Sequence, residues 1–199
     1  LFNSFTENSI SLKISSLSYA NFSYTHQGWF TDDKRYFILG DEQDEMNVGF
    51  NTRTLIFDFT DLDAPTLKST YYGPTSAIDH NGYVRKNRFY LANYEAGVRI
   101  LNISDIANGN MTEINSFDTY PQANSANFHG AWNIYPYFES GNLLVSDYTR
   151  GFFLLKDPNY DNTNPNALCQ NITATLTSSG SVTITANMLD GGSTDKTKL

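Results

Sequence analysis

The chain contains three histidines, and each begins a copy of the same short motif. The copies start at His26, His80 and His129, and in each the histidine is followed two positions later by Gly or Ala and then by Trp or Tyr. The motifs lie 54 and then 49 residues apart. Imidazole nitrogens bind transition metals and exchange protons near neutral pH, so a histidine that recurs with its surroundings is a candidate for either chemistry.

Acidic and aromatic residues follow the apolar segment after each motif. If the first two strands of each repeat form a hairpin, the start of one and the end of the other lie at the same end of the sheet. This places His26 beside Asp41 and Glu42, His80 beside Asn93 and Glu95, and His129 beside Asp147 and Tyr148. We therefore expect the imidazoles and carboxylates to face one common mouth.

The residues at this mouth suggest two kinds of cation and one structural alternative. Imidazole with carboxylate suits Zn²⁺ or another transition metal, whereas carboxylates with Asn and backbone carbonyls suit Ca²⁺. Alternatively, each histidine bonds a neighbouring loop and the following small residue allows close packing. The candidate binding residues are His26, His80, His129, Tyr94 and Tyr148, and the candidate metal ligands are Asp41, Glu42, Asp44, Glu45, Glu95 and Asp147.

The acidic segment after the first motif and the two tryptophans each have a structural interpretation that competes with ligand binding. The four carboxylates between Asp41 and Glu45 either hold a cation or form a solvated loop. Trp29 and Trp132 flank the same mouth, where rings can stack on sugars or peptides, but core packing is the favoured prediction for both.

Short strands must position these residues. Apolar residues occupy consecutive positions at Tyr36–Leu39 and Leu143–Val145, which is typical of strands buried on both faces. The first two repeats each have room for four strands, and the third has room for three. Four-stranded units of about fifty residues are typical of β-propeller blades.

The predicted fold is all-β, with β-propeller blades of four antiparallel strands followed by a truncated β-hairpin of a second domain. Residues 1–25 are expected to end a preceding blade or to supply a closing strand at 10–17. Three blades follow at about 26–79, 80–128 and 129–156, then a linker at 157–168. Residues 169–199 are predicted to begin a truncated β-sandwich-like domain, with a hairpin around Ser178–Gly180. Because propellers have four to eight blades, we expect further blades upstream.

Composition excludes several classes of function. The net charge of −8, with scattered basic residues, argues against nucleic acid as a partner. No apolar segment is long enough to span a membrane. The single cysteine permits no internal disulfide, and the nucleophile-elbow, P-loop and dinucleotide-binding motifs are missing from the sequence.

Several segments in one order resemble the choice-of-anchor B family of extracellular bacterial proteins, which are related to LVIVD-repeat β-propellers. The resemblance covers roughly residues 20–156 and includes His26-Gln27-Gly28-Trp29, Gly97-Val98-Arg99-Ile100-Leu101 and Ser146-Asp147 with Arg150-Gly151. It implies export and attachment to the cell surface through a C-terminal anchor or sorting domain. The C-terminal residues are similar to β-sandwich repeats of Bacteroidetes-type surface proteins, in which Cys169 would pair with a cysteine beyond residue 199.

These observations predict an extracellular binding or interaction module, with a protein or glycan as its partner. One alternative is a metal-assisted hydrolase of extracellular glycans or esters, working through histidine and carboxylate pairs. The other is a passive scaffold between adhesive domains.

Overall fold

The computed structural model describes residues 13–160 and 166–194. They belong to two compact units. The larger comprises the described residues up to Phe138 together with Asn142–Asp157, and the smaller comprises Glu139–Gly141 and the described residues from Pro158 onward.

The larger unit contains three antiparallel sheets, each built from strands that are consecutive in the chain. The first sheet has the order β1 (Thr25–Phe30), β2 (Tyr36–Asp41), β3 (Arg53–Asp58), β4 (Thr66–Tyr72), with a one-turn helix α1 (Asp44–Asn47) between β2 and β3. The second has the order β5 (Gly82–Arg85), β6 (Arg88–Ala92), β7 (Val98–Asn102), β8 (Thr112–Phe117), with a short 3-10 helix at Ile106–Asn108. The third contains β9 (Ala131–Tyr135), β10 (Asn142–Asp147) and β11 (Gly151–Lys156).

The all-β class and the strand numbers predicted for the three repeats are confirmed. Within the described residues, none of the three sheets closes into a barrel. No helix in the described parts of the chain has the length and apolar character needed to cross a membrane.

The second sheet is covered by apolar side chains on both faces, which explains the consecutive apolar residues of β6. Phe89 and Leu91 pack against Tyr36 and Ile38 of the first sheet. Tyr90 and Ala92, which point the other way, belong to a cluster with residues of the third sheet, among them Ala131, Ile134, Leu143 and Val145. Alternate residues of one strand thus contribute to two different cores.

The glycine in the first two motifs provides room for an aromatic ring. A Cβ atom at Gly82 would overlap the Phe89 ring on the neighbouring strand, and one at Gly28 would overlap the ring of Phe37 in the same way. In these two motifs the small residue therefore lets a phenylalanine cross the first strand of the sheet.

The opposite face of the first sheet is covered by the segment that precedes it. Tyr19 packs against a cluster containing Leu39, Leu55 and Phe57. Of the strand predicted at 10–17, residues 10–12 lie outside the described residues, and residues 13–17 form no strand.

The hairpin predicted in the smaller unit is wrong for the described residues. The turn is present, because the Thr177 amide donates to the Ser181 carbonyl at 2.9 Å, but no strand flanks it. A one-turn helix α2 (Ala186–Leu189) follows instead. The apolar residues of the two predicted strands are exposed, with Leu176 at 62% and Ile184 at 48%, so alternation alone does not produce a ladder. Residues 161–165 of the predicted linker and 195–199 of the predicted domain lie outside the described residues.

Candidate functional site

His26 is the extra residue of a β-bulge in the first sheet. Its two chain neighbours pair with Asp41 and Gly40, which are consecutive residues of β2. A bulge redirects a side chain from the regular alternation of a strand. His26 Nδ1 lies 3.6 Å from Oε2 of Glu42, the residue that follows β2.

His80 lies directly before the second sheet and approaches the same carboxylate. Its Nδ1 is 2.5 Å from the Trp132 carbonyl oxygen, and its Nε2 is 3.4 Å from Glu42 Oε1. Because a carbonyl oxygen only accepts hydrogen bonds, Nδ1 carries the hydrogen and donates it. In the neutral ring, Nε2 then presents a lone pair on the side of Glu42. Burial lowers the pKa of His80, although the Trp132 carbonyl and Glu42 oppose this shift.

Glu42 is held in place between the two imidazoles. Its backbone amide donates to the Tyr24 carbonyl at 3.1 Å, and its Oε1 accepts a 2.8 Å hydrogen bond from the Tyr94 hydroxyl. Burial and this bond raise the pKa of Tyr94 well above its ordinary value. His26, Glu42 and His80 each offer one potential ligand atom, and these atoms all lie within 4.8 Å of one another.

Aromatic rings continue outward from the two imidazoles. The His26 ring stacks on His80 at 4.6 Å between centroids and on Tyr24 at 5.6 Å. The His80 ring also contacts Trp132 at 4.5 Å, and Trp132 stacks on Tyr148 at 6.1 Å. We call these five rings, Tyr24, His26, His80, Trp132 and Tyr148, the ring assembly.

Trp29 and Trp132 are less buried than core packing would require. They are 39% and 42% exposed, and their ring contacts are with tyrosines and a histidine. Trp132, like His26, is the extra residue of a strand irregularity, because Ser146 pairs with Asn133 and Asp147 pairs with Ala131. The prediction that both tryptophans are core residues is wrong.

His129 forms a separate pair with Glu95. His129 Nδ1 lies 3.1 Å from Glu95 Oε1, while Glu95 Oε2 accepts bonds from the amide and hydroxyl of Ser125 at 2.9 and 2.7 Å. Burial raises the pKa of Glu95, but the bonds from Ser125 and His129 outweigh it, and the net shift is downward. The His129 ring stacks on Tyr120 at 5.2 Å, and His129 is not one of the three grouped ligands.

The carboxylate partners of the second and third histidines come from the preceding repeat. His80 contacts Glu42 where the sequence predicts Glu95, and His129 contacts Glu95 where it predicts Asp147. Each histidine lies at the predicted end of its sheet. His80 and His129 come just before the first strand of their own sheets, and such residues also border the sheet before.

The other predicted metal ligands have structural partners. Asp41 accepts bonds from the amides of Ser23 and Tyr24 and from the Tyr19 hydroxyl. Asp147 Oδ1 accepts the amides of Thr149 and Arg150, which closes a turn.

The segment from Asp41 to Glu45 is buried, so the solvated-loop alternative is wrong. Asp44 forms an ion pair with Arg53, and Glu45 Oε1 accepts the Arg53 amide at 3.1 Å. Burial, together with the nearby carboxylates of Asp79 and Asp44, raises the pKa of Glu45 to about 10. Asp44 Oδ1 and Glu45 Oε2 are buried and have no hydrogen-bond partner among the described residues. We call Asp44, Glu45, Asp79 and Arg53 the buried acidic cluster.

Comparison with known proteins finds no matching family model and no matching curated protein. The choice-of-anchor B assignment therefore stays a prediction, and chemistry at the site rests on its own geometry. That geometry consists of two imidazoles and one carboxylate from two sheets, open to solvent on the side of His26, whose side chain is 26% exposed.

Proposed function

We propose that this chain is part of an exported, surface-attached β-propeller of the choice-of-anchor B kind and acts as a binding module for an extracellular glycan. The single observation that carries the binding role is the ring assembly, in which side chains in or beside each of the three sheets come together.

The sheet arrangement supports the propeller. Successive sheets follow one another in the chain, the second is packed face-on by its neighbours, and each begins with the strand nearest to the adjoining sheets. Contacts between sheets are made largely by β1 with β5 and by β5 and β6 with β9. A propeller arranges its innermost strands in this way.

The surface chemistry favours a sugar over a polyanion. Tyr148 is 66% exposed and Tyr24 is 48% exposed, so flat apolar rings are available for stacking. The net charge of −8 repels anionic polymers.

Binding of neutral oligosaccharides of glucose, mannose and N-acetylglucosamine, measured by calorimetry, tests the proposal. We expect Trp132→Ala and Tyr148→Ala each to weaken binding by about tenfold, which corresponds to about 1.4 kcal/mol. Phe152→Ala is the matched control, because Phe152 is 73% exposed on β11, outside the ring assembly. Absence of binding to every sugar would favour the passive scaffold.

One observation favours the hydrolase alternative. Two histidines and one glutamate form the ligand set of several catalytic zinc sites, in which a bound water attacks the substrate. Turnover of oligosaccharide or ester substrates that His26→Ala abolishes would support the hydrolase over the binding module.

A further inference from the structure

We propose that His26, Glu42 and His80 form a binding site for a divalent transition-metal ion of the zinc type. The site would lie within the recognition surface, and only a role of the ion in ligand binding rests on the proposed function.

The separations of the donor atoms fit one small cation. Atoms bound to a tetrahedral Zn²⁺ at about 2.0–2.2 Å are about 3.3–3.6 Å apart. Glu42 Oε1 lies 3.4 Å from His80 Nε2, and Glu42 Oε2 lies 3.6 Å from His26 Nδ1. The three donors lie within 4.8 Å of one another. Because the two imidazole rings are stacked at an interplanar angle of 21°, the partly exposed His26 ring must turn for both lone pairs to meet at one ion.

Hydrogen bonds outside the three donors orient them as metal sites require. His80 uses Nδ1 to donate to the Trp132 carbonyl, which directs the lone pair of Nε2 inward. The Tyr94 hydroxyl donates to Glu42 and fixes its carboxylate. Metal-binding histidines almost always donate their second nitrogen to a carbonyl or carboxylate, and ligating carboxylates are themselves hydrogen-bonded.

The donor set favours a transition metal over Ca²⁺. Two of the three donors are imidazole nitrogens, whereas Ca²⁺ takes six to eight oxygen ligands. The nearest additional carboxylate along the chain is Asp41, and both of its oxygens already accept hydrogen bonds.

The side of the site facing solvent leaves room for a fourth ligand. Glu42 and His80 are 8% and 3% exposed, whereas the side chain of His26 is 26% exposed. Three protein ligands with one open position are typical of zinc sites that bind water or an exogenous ligand. The ion would thus offer a coordination position beside the ring assembly.

Cobalt binding to the untagged chain, after treatment with a chelator, tests the site directly. We expect one Co²⁺ per chain, visible absorption from bound cobalt, and displacement by one equivalent of Zn²⁺. His26→Ala and Glu42→Gln should each weaken binding by at least about 100-fold, since the loss of a ligand exceeds the usual 10–100-fold cost of losing an outer partner. His26→Ala removes a partly exposed side chain, so this variant is expected to fold.

His129→Ala is the matched control, because it removes an imidazole that is also paired with a carboxylate but lies outside the three donors. It should bind cobalt like the unmodified chain. Less than one equivalent bound by the folded unmodified chain, or equal losses in His26→Ala and His129→Ala, would overturn the proposal. Metal binding without sugar binding would support the metal site and reject the proposed function. Sugar binding without metal binding would reject the metal site and support the proposed function.

Discussion

Tyr94 donates a 2.8 Å hydrogen bond to Glu42 and so connects the second sheet to the first at the carboxylate that lies between two imidazoles. The tyrosine is 1% exposed and holds a positive φ of 31°, a backbone conformation that non-glycine residues rarely adopt. The turn at this residue is closed by a bond from the Gly97 amide to the Tyr94 carbonyl at 2.9 Å.

Tyr94→Phe removes this hydroxyl and keeps the ring. We expect Zn²⁺ affinity to fall about tenfold, because Glu42 loses the donor that orients it. Competition against a chromophoric chelator measures the change. Tyr83→Phe is the control, since its hydroxyl bonds Asn133 instead. An unchanged affinity in Tyr94→Phe would show that Glu42 needs no such support.

Gly82→Ala tests the packing of the second motif. The added methyl group would overlap the Phe89 ring, and overpacking of this kind costs about 1–3 kcal/mol in the free energy of unfolding. Urea denaturation measures the loss. Gly82→Ala should cost less free energy of unfolding when it is added to Phe89→Leu than when it is added to the unmodified chain. If the two substitutions are additive, the ring is not the cause.

Glu45→Gln tests the proton held by the buried acidic cluster. The folded-state pKa of Glu45, about 10, exceeds its ordinary value of 4.5, so the folded chain binds a proton that the unfolded chain has lost. The stabilisation is complete below about pH 4.5 and decreases as the pH rises towards 10, by at most about 1.4 kcal/mol per pH unit.

Glu45→Gln should remove this decrease, because the amide keeps an acceptor for the Arg53 amide and supplies a permanent donor. Urea midpoints between pH 5 and 9 report the slope. Asp63→Asn, in an exposed loop, should leave the slope unchanged. An identical pH dependence in Glu45→Gln and the unmodified chain would contradict the shifted pKa.

Arg53→Met should destabilise the chain by about 3–5 kcal/mol, because it leaves buried carboxylates without their cation. Arg53 pairs with Asp44 and lies 3.7 Å from Asp41, and its guanidinium also donates to the carbonyls of Ala20 and Asn21. Arg35→Met is the matched control. Its ion pair with Asp58 is exposed, and such pairs contribute about 0–1 kcal/mol. Similar losses in the two variants would mean that burial is not what matters at Arg53.

Local patterns in the sequence predict much of the fold because the causes are local. Consecutive apolar residues in β2 and β6 predict burial on two faces, and the clusters around Ile38 and Phe89 show that burial. The glycines at 28 and 82 mark the first strands. The hairpin predicted after Ser178–Gly180 fails because alternation needs a neighbouring strand or core, and a short window of sequence contains neither.

The candidate site is predicted only in part, because its contacts join residues that are distant in the chain. The histidine motif identifies His26 and His80, and the acidic residues after β2 identify Glu42. No pattern in the sequence predicts the bulge at His26. None predicts the hydrogen bond from His80 to the Trp132 carbonyl or the contact between His80 and Glu42. The sequence does not identify Arg53, because a single arginine at the start of a strand does not indicate that four carboxylates are buried near it.

The two-sided burial of β6 also limits how the sequence can diverge. A substitution at Tyr90 changes the core shared with the third sheet, and one at Phe89 changes the core shared with the first. Adjacent residues of β6 pack in different cores. A single compensating change in one core therefore cannot accommodate substitutions at two adjacent positions of this strand. Related chains should therefore vary least along β6 and more freely along β4 and β8, whose residues are mostly half-buried or exposed.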